Sequence, residues 1–154
     1  MITYQLEDYD QVVDDIQPLV LRNWKEVAAF QDDIHLAPDL TKYKTLYDAG
    51  MLFIMTARKD GVLIGYNIAY ITENLQYSAN KFAQQDVTYV TPECRGTRVA
   101  LKLIKYTEDV LMSEHNVDTI IYHSNLNCDC TRLLSRLGYK PIETVCMKYV
   151  GKGE

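Results

Sequence analysis

The stretch TPECRGTRVALKLIKYTEDVL, residues 91–111, decides the fold. A proline and an Arg-Gly turn lead into a run where Ala100, Leu103, Thr107 and Val110 recur at helical spacing, widened by Ile104 and Leu111. The spacing predicts a helix from about 98 to 113, ended by His115 and Asn116. A helix start leaves backbone N–H groups without intrahelical partners, and the aligned peptide dipoles concentrate positive charge there. Arg95, Gly96, Thr97 and Arg98 therefore make an end suited to an anion. The same residues also fit an ordinary turn before a surface helix, so the flanks have to decide.

Just upstream, AQQDVTYVT (83–91) reads as a strand, and downstream DTIIYHS (118–124) as a short buried one. Together with the helix they form a β-α-β unit with a parallel crossover. Further upstream, MLFIMTAR (51–58), the turn at Asp60-Gly61 and VLIGYNIAYI (62–71) read as a β-hairpin. Before it, ITYQLE (2–7) predicts a first strand. From Asp10 to Phe30 an apolar stripe predicts an amphipathic helix, bent or restarted near Pro18. Asp39 is placed to cap a second short helix, with Gly50 as its stop. Residues 127–137 predict another helix closed by Gly138, and PIETVCMKYV (141–150) a last strand. The order β, α, α, β, β, β, α, β, α, β implies one α/β domain over 1–154, with helices on both faces of the sheet.

At 154 residues the chain is long enough for one full-sized core. No run of 18 uncharged apolar residues occurs, so no membrane span is expected. The N-terminus MITYQLEDYDQ lacks the pattern of a secretory signal, and a cytoplasmic location is the expectation. Residues 1–50 carry ten acidic and four basic side chains, while the rest is nearly balanced. With no basic stripe, neither nucleic acid nor an anionic membrane is an expected partner. The acidic first third leans slightly towards a cationic acceptor, although a solvated helix face explains it equally well. Four cysteines, at 94, 128, 130 and 146, are expected to be reduced. One C-x-C near His123 is too little for a zinc site, and no metal is expected.

VTYVTPECRGTRVALKLIKYTE (87–108), followed by NCDCTRLLSRLGYKPIETVCMKYV (127–150), resembles the GCN5-related N-acetyltransferase superfamily. The resemblance implies the single-domain acyl-CoA N-acyltransferase fold, a mixed and mostly antiparallel sheet with helices on both faces. It also implies acetyl-CoA as acyl donor and direct transfer of the acetyl group to an amine. Arg95 matches the first residue of the family's Arg/Gln-x-x-Gly-x-Gly/Ala loop and Ala100 the last, with Pro92-Glu93 before it. Arg98 stands where the family has its internal glycine, either crowding a phosphate or bringing it charge. By the same resemblance Tyr89, Val90 and Thr91 lie along the pantetheine arm. Gly96, Thr97, Arg98, Val99 and Ala100 hold the pyrophosphate, and Asn127 contacts the CoA arm. Asn127 is also a good N-cap for the helix after it. Leu134 occupies the position of a tyrosine that in many relatives protonates the departing thiolate.

Amine acylation needs a deprotonated amine and stabilisation of charge on the carbonyl oxygen. Asp86, on the strand leading into the thioester region, and Glu73, just after the preceding strand, are the candidate bases. Asp86 equally fits a solvated strand residue, and Glu73 a turn residue. Cys94, Cys128 and Cys130 lack a visible His-carboxylate pair to activate them. The expected acceptor is an amine on a small molecule or a protein, and a homodimer is admitted without being required. With Arg98 and Leu134 in these positions, a binding module of the same fold stands as the alternative to an enzyme.

Overall fold

The computed structural model describes residues 1–151. In chain order it contains β1 (Ile2–Leu6), α1 (Tyr9–Val27), α2 (Leu40–Asp48), β2 (Leu52–Lys59) and β3 (Val62–Thr72). Then come β4 (Phe82–Val90), α3 (Val99–His115), β5 (Thr119–Ile121) and α4 (Thr131–Arg136), with a 3-10 turn at Pro92–Cys94. The strands lie side by side in sequence order. β1 to β4 are antiparallel neighbours, and β5 runs parallel to β4 across the α3 crossover. This is the mixed, mostly antiparallel α/β architecture expected from the sequence.

The hairpin turns at Asp60 and Gly61, both with positive φ (50° and 85°), the conformation that suits a two-residue connection between twisted strands. The central strands are buried on both sides, with opposite faces serving different helices. Leu52, Ile54, Tyr66, Ile68 and Tyr89 join Val12, Ile16 and Leu19 of α1, with Tyr43 and Leu46 of α2 packed alongside. Met55, Ala57, Ile64 and Val90 instead meet Val99 and Leu103 of α3, and Phe53, Ala69 and Ala83 meet Leu111. α1 and α2 thus cover one face and α3 the other.

Asp8 caps α1 by accepting from the Asp10 amide at 3.0 Å. The helix passes through Pro18 as one element, so of the bend or restart expected there the restart does not occur, and it ends at Val27. Asp39 caps α2 as anticipated, accepting from the Lys42 amide at 3.1 Å, and Gly50 follows with φ +68°.

Two expectations fail near the C-terminus. Residues 141–150 form no strand, and Ile142, Val145, Met147 and Val150 are exposed. Alternating apolar residues make a strand only against a partner edge, and β5 is just three residues long. α4 begins at Thr131, so Asn127 does not cap it. Asp129 takes the Thr131 amide instead, at 2.9 Å.

Candidate active site

The site is organised by one irregularity in β4. Ile68 pairs with Val87 and Ala69 with Gln85, leaving Asp86 without a partner on β3. Such a bulge places two consecutive side chains on one face. Asp86 and Val87 both point to the α1/α2 side, where they line the same cavity. The next residue, Thr88, returns to the α3 side and hydrogen-bonds Asn67.

On its other edge β4 pairs with β5 only through Phe82, Ala83 and Gln84. Beyond Gln84 the two strands part, and β4 continues to Val90 paired with β3 alone among the described residues. The base of the opening is a polar network. Tyr122 Oη and Thr88 Oγ1 each donate to Asn67 Oδ1 at 2.6 Å, and Asn67 Nδ2 donates to Thr107 Oγ1 at 2.8 Å. Burial raises the Tyr122 phenol well above its ordinary pKa. It is therefore a neutral hydrogen-bonding group at neutral pH.

Past the 3-10 turn, Gly96 takes φ +75°, with none of the described residues within 4 Å of where a Cβ would stand. The loop beside the start of α3 is thus both left-handed and open. Thr97 Oγ1 donates to the Cys94 carbonyl (2.6 Å) and accepts from the Val99 amide (3.3 Å). Arg98 is exposed, with an ordinary φ of −84°. Val99 is buried under the helix and Ala100 packs beside it. Arg95 is more committed than its motif suggests. Its Nε donates to the Val90 carbonyl (2.9 Å), Nη2 meets Glu26 of α1 (2.6 Å), and the guanidinium lies 5.4 Å from the centre of the Tyr89 ring. Asn125 Nδ2 also reaches α1, donating to the Val27 carbonyl at 3.2 Å. The end of α1 therefore touches both walls of the opening.

The cavity on the α1/α2 face has a volume of about 400 Å³. Val13, Ile16, Val20 and Trp24 of α1 form one wall, and Ile54, Ile68 and Val87 of the sheet another. The α1–α2 connection adds Ile34, His35 and Leu36. Asp86 is exposed to this space, and Tyr43 Oη donates to its Oδ2 at 2.5 Å. Burial, then the hydrogen bond to Asp86, raises the Tyr43 phenol, so the proton stays on tyrosine. Tyr66 is fully buried, its hydroxyl has no hydrogen-bond partner among the described residues, and burial followed by the Asp86 charge raises its pKa as well.

Of the residues singled out from sequence, the chain brings Asp86, Tyr89 and Val90 onto β4 and Thr91 directly after it, leading into 95–100. Asn127 lies exposed in the turn after β5, its amide donating to Asn125 Oδ1 at 2.8 Å. Glu73 is exposed beyond β3 and does not line the cavity. Leu134 is the buried residue of α4. Sequence reasoning missed Tyr43, Glu26 and Tyr122. The width of the α1 stripe was a signal for the cavity itself, since Val13, Val20 and Trp24 line it beside the buried Val12, Ile16 and Leu19.

The model of the acetyltransferase (GNAT) family matches residues 14–139. No curated protein sequence matches the chain significantly. Solved structures of the same fold include the ribosomal-protein-alanine N-acetyltransferase from Brucella melitensis biovar Abortus 2308, at 18% identity and TM-score 0.70, covering 97% of this chain and 99% of that one. The aminoglycoside acetyltransferase meta-AAC0020 from an uncultured soil metagenomic sample, in complex with sisomicin, matches at 17% identity and TM-score 0.70, covering 98% and 97%. Glucosamine-6-phosphate N-acetyltransferase from Arabidopsis thaliana matches at 10% identity and TM-score 0.73, covering 97% and 99%.

Proposed function

The chain belongs to the acetyltransferase (GNAT) family, and we propose that it carries an acetyl group from acetyl-CoA directly to an amine. The observation that carries this reading is the succession, along the single stretch from the β4 bulge to the start of α3, of three features: a carboxylate, a parted strand edge and an open loop at a helix start. The residues present fit the donor. Gly96 leaves space at the loop, the first turn of α3 offers amides and dipole, and β4 from Gln85 to Val90 has an edge unpaired by β5. In this reading Gly96, Thr97, Arg98, Val99 and Ala100 hold the pyrophosphate, with Arg95 beside them. Tyr89, Val90, Thr91 and Asn127 line the arm. Bound acetyl-CoA supplies the acyl group as a thioester, whose C–S bond breaks as the C–N bond forms; the sulfur leaves as thiolate and becomes the thiol by taking up the second proton that the amine nitrogen loses.

The chain's own residues have three tasks. The α1/α2 cavity orients the amine towards β4, and its apolar walls limit water around it. Asp86 accepts a proton from the ammonium and holds the free amine. Tyr43 donates to one Asp86 oxygen, which fixes the carboxylate and leaves its other oxygen for the amine. Glu73 stays a second candidate base only if Asp86 proves dispensable.

Asp86→Asn tests this. The variant is expected to lower kcat about 100-fold, the low end for loss of a general base, with little change in acetyl-CoA affinity. The deficit should shrink as pH rises and more acceptor is already neutral. A parent protein that binds no acetyl-CoA at millimolar ligand in calorimetry would overturn the donor assignment.

A further inference from the structure

We propose that the acceptor is a small primary amine on an apolar body, an arylalkyl or alkyl amine, and not a polycation. The proposal rests on the acetyl-transfer reading for the fate of the amine, but the pocket argument stands on its own residues. The cavity is in the size range of small-ligand sites, roughly 300–1,000 Å³. Its walls are largely hydrocarbon, with Val13, Ile16, Val20, Trp24, Ile54 and Ile68 facing the space from α1 and the sheet. Asp86 is the one carboxylate that lines it among the described residues, and no lysine or arginine lines it. Tyr9, Gln17, Asn23, His35 and Tyr43 are its other polar members.

That distribution selects a ligand. A single carboxylate, steadied by Tyr43, pairs with a single ammonium. Any second ammonium on the same molecule would enter a hydrocarbon-lined space with no counter-charge, where burying an unpaired charge is costly. An apolar body gains with every methylene buried, about fourfold in affinity each. The acidic side chains of the first third, Asp32 and Asp33 included, lie outside the cavity lining and do not change this balance.

Trp24 is the chain's single tryptophan and lines the cavity, so occupancy can be read without turnover. Propylamine through hexylamine, 2-phenylethylamine, spermidine and kanamycin would be titrated by Trp24 fluorescence and calorimetry, with 1-hexanol as the neutral control. Affinity is expected to climb about fourfold per methylene and to favour hexylamine and 2-phenylethylamine at least tenfold over the polycations. Asp86→Asn should weaken hexylamine about tenfold and leave 1-hexanol unchanged. A flat alkyl series, or spermidine binding as tightly as hexylamine, overturns the proposal, as does unchanged hexylamine binding in Asp86→Asn. Thiol release from acetyl-CoA is measured separately with the same amines. Apolar amines that fill the cavity without thiol release would remove the transfer reading and leave the pocket assignment standing. Release with spermidine but not hexylamine would do the reverse.

Discussion

Arg95 and Glu26, 69 positions apart, form an ion pair at 2.6 Å with each side chain only about one-third exposed. The same guanidinium holds the Val90 carbonyl at the end of β4. Arg95 therefore joins α1, β4 and the loop before α3, and Glu26 occupies cationic surface that the proposed pyrophosphate site would draw on. Glu26→Gln is expected to tighten CoA binding two- to fivefold at low salt, the order of a half-exposed ion pair, and the gain should fade as salt rises. Arg95→Ala should weaken CoA binding and also loosen the loop. An unchanged CoA affinity in Glu26→Gln would show that the pair is structural only. Arg98 needs no glycine, because Gly96 carries the positive φ and Arg98 is exposed at −84°. Arg98→Gly should accordingly weaken CoA binding through lost charge, and tighter binding by calorimetry would show that the arginine crowds the phosphates. The motif around Arg95 was legible because it is local. Its partner was not, since nothing near Glu26 in sequence points across 69 residues. Tyr43 was hidden for the same reason, as one of twelve tyrosines 43 positions from the carboxylate it holds.

At the scale of elements, β4 positions the site, and its path depends on how closely β3 and α3 approach it. Gly65 sits opposite Val90, and a Cβ there would stand 2.9 Å from the Tyr89 carbonyl oxygen and 3.2 Å from Leu103 Cδ1 and Val90 Cγ2. The first of these is backbone and cannot rotate away. Gly65→Ala is expected to cost about 1–3 kcal/mol by overpacking, and to lower activity further by moving Tyr89 and Val90. Chemical denaturation checks the first effect and acetyl-CoA calorimetry the second. A variant as stable as the parent would show that the strands separate easily. Element order was readable because each long segment carried its own period, from the α1 stripe to the Asp60-Gly61 turn. The bulge was not, because the consecutive polar residues Gln84, Gln85 and Asp86 carry no apolar period that would mark an extra residue, and only the pairing with Ile68 and Ala69 reveals it. Segment 141–150 failed for the complementary reason: its pattern is strand-like, but β5 offers too short a ladder to pair with.

Across the whole molecule, two carboxylates on opposite faces of the sheet give stability opposite dependences on pH. Glu7, at the end of β1, is nearly buried and accepts from Thr56 Oγ1 (2.7 Å) and Arg58 Nε (3.0 Å), while Arg58 also reaches Asp15 of α1 (2.9 Å). Burial alone would raise its pKa, but the hydrogen bonds and the Arg58 charge together hold it below the ordinary carboxylate value of 4.5. Its contribution is present above 4.5 and is lost as pH falls through the lower folded value. Glu108 on α3 is raised above 4.5, by burial first, although Lys105 opposes the shift. In the folded chain its ionised form is disfavoured, so its contribution is fullest below 4.5 and is lost as pH rises through the folded value. Glu7→Gln should therefore cost about 2 kcal/mol at pH 7, roughly 4–8 °C in melting temperature for a chain of this size, with the deficit closing as pH falls through the lowered folded value. Glu108→Gln should hold or raise the melting temperature at pH 7 and lose that advantage in acid. Thermal unfolding of both variants and the parent from pH 3 to 8 checks the pair. Parallel curves for Glu7→Gln and parent would mean that the carboxylate contributes no pH-dependent stability, whereas the three-way network with Arg58 and Asp15 requires that the curves converge.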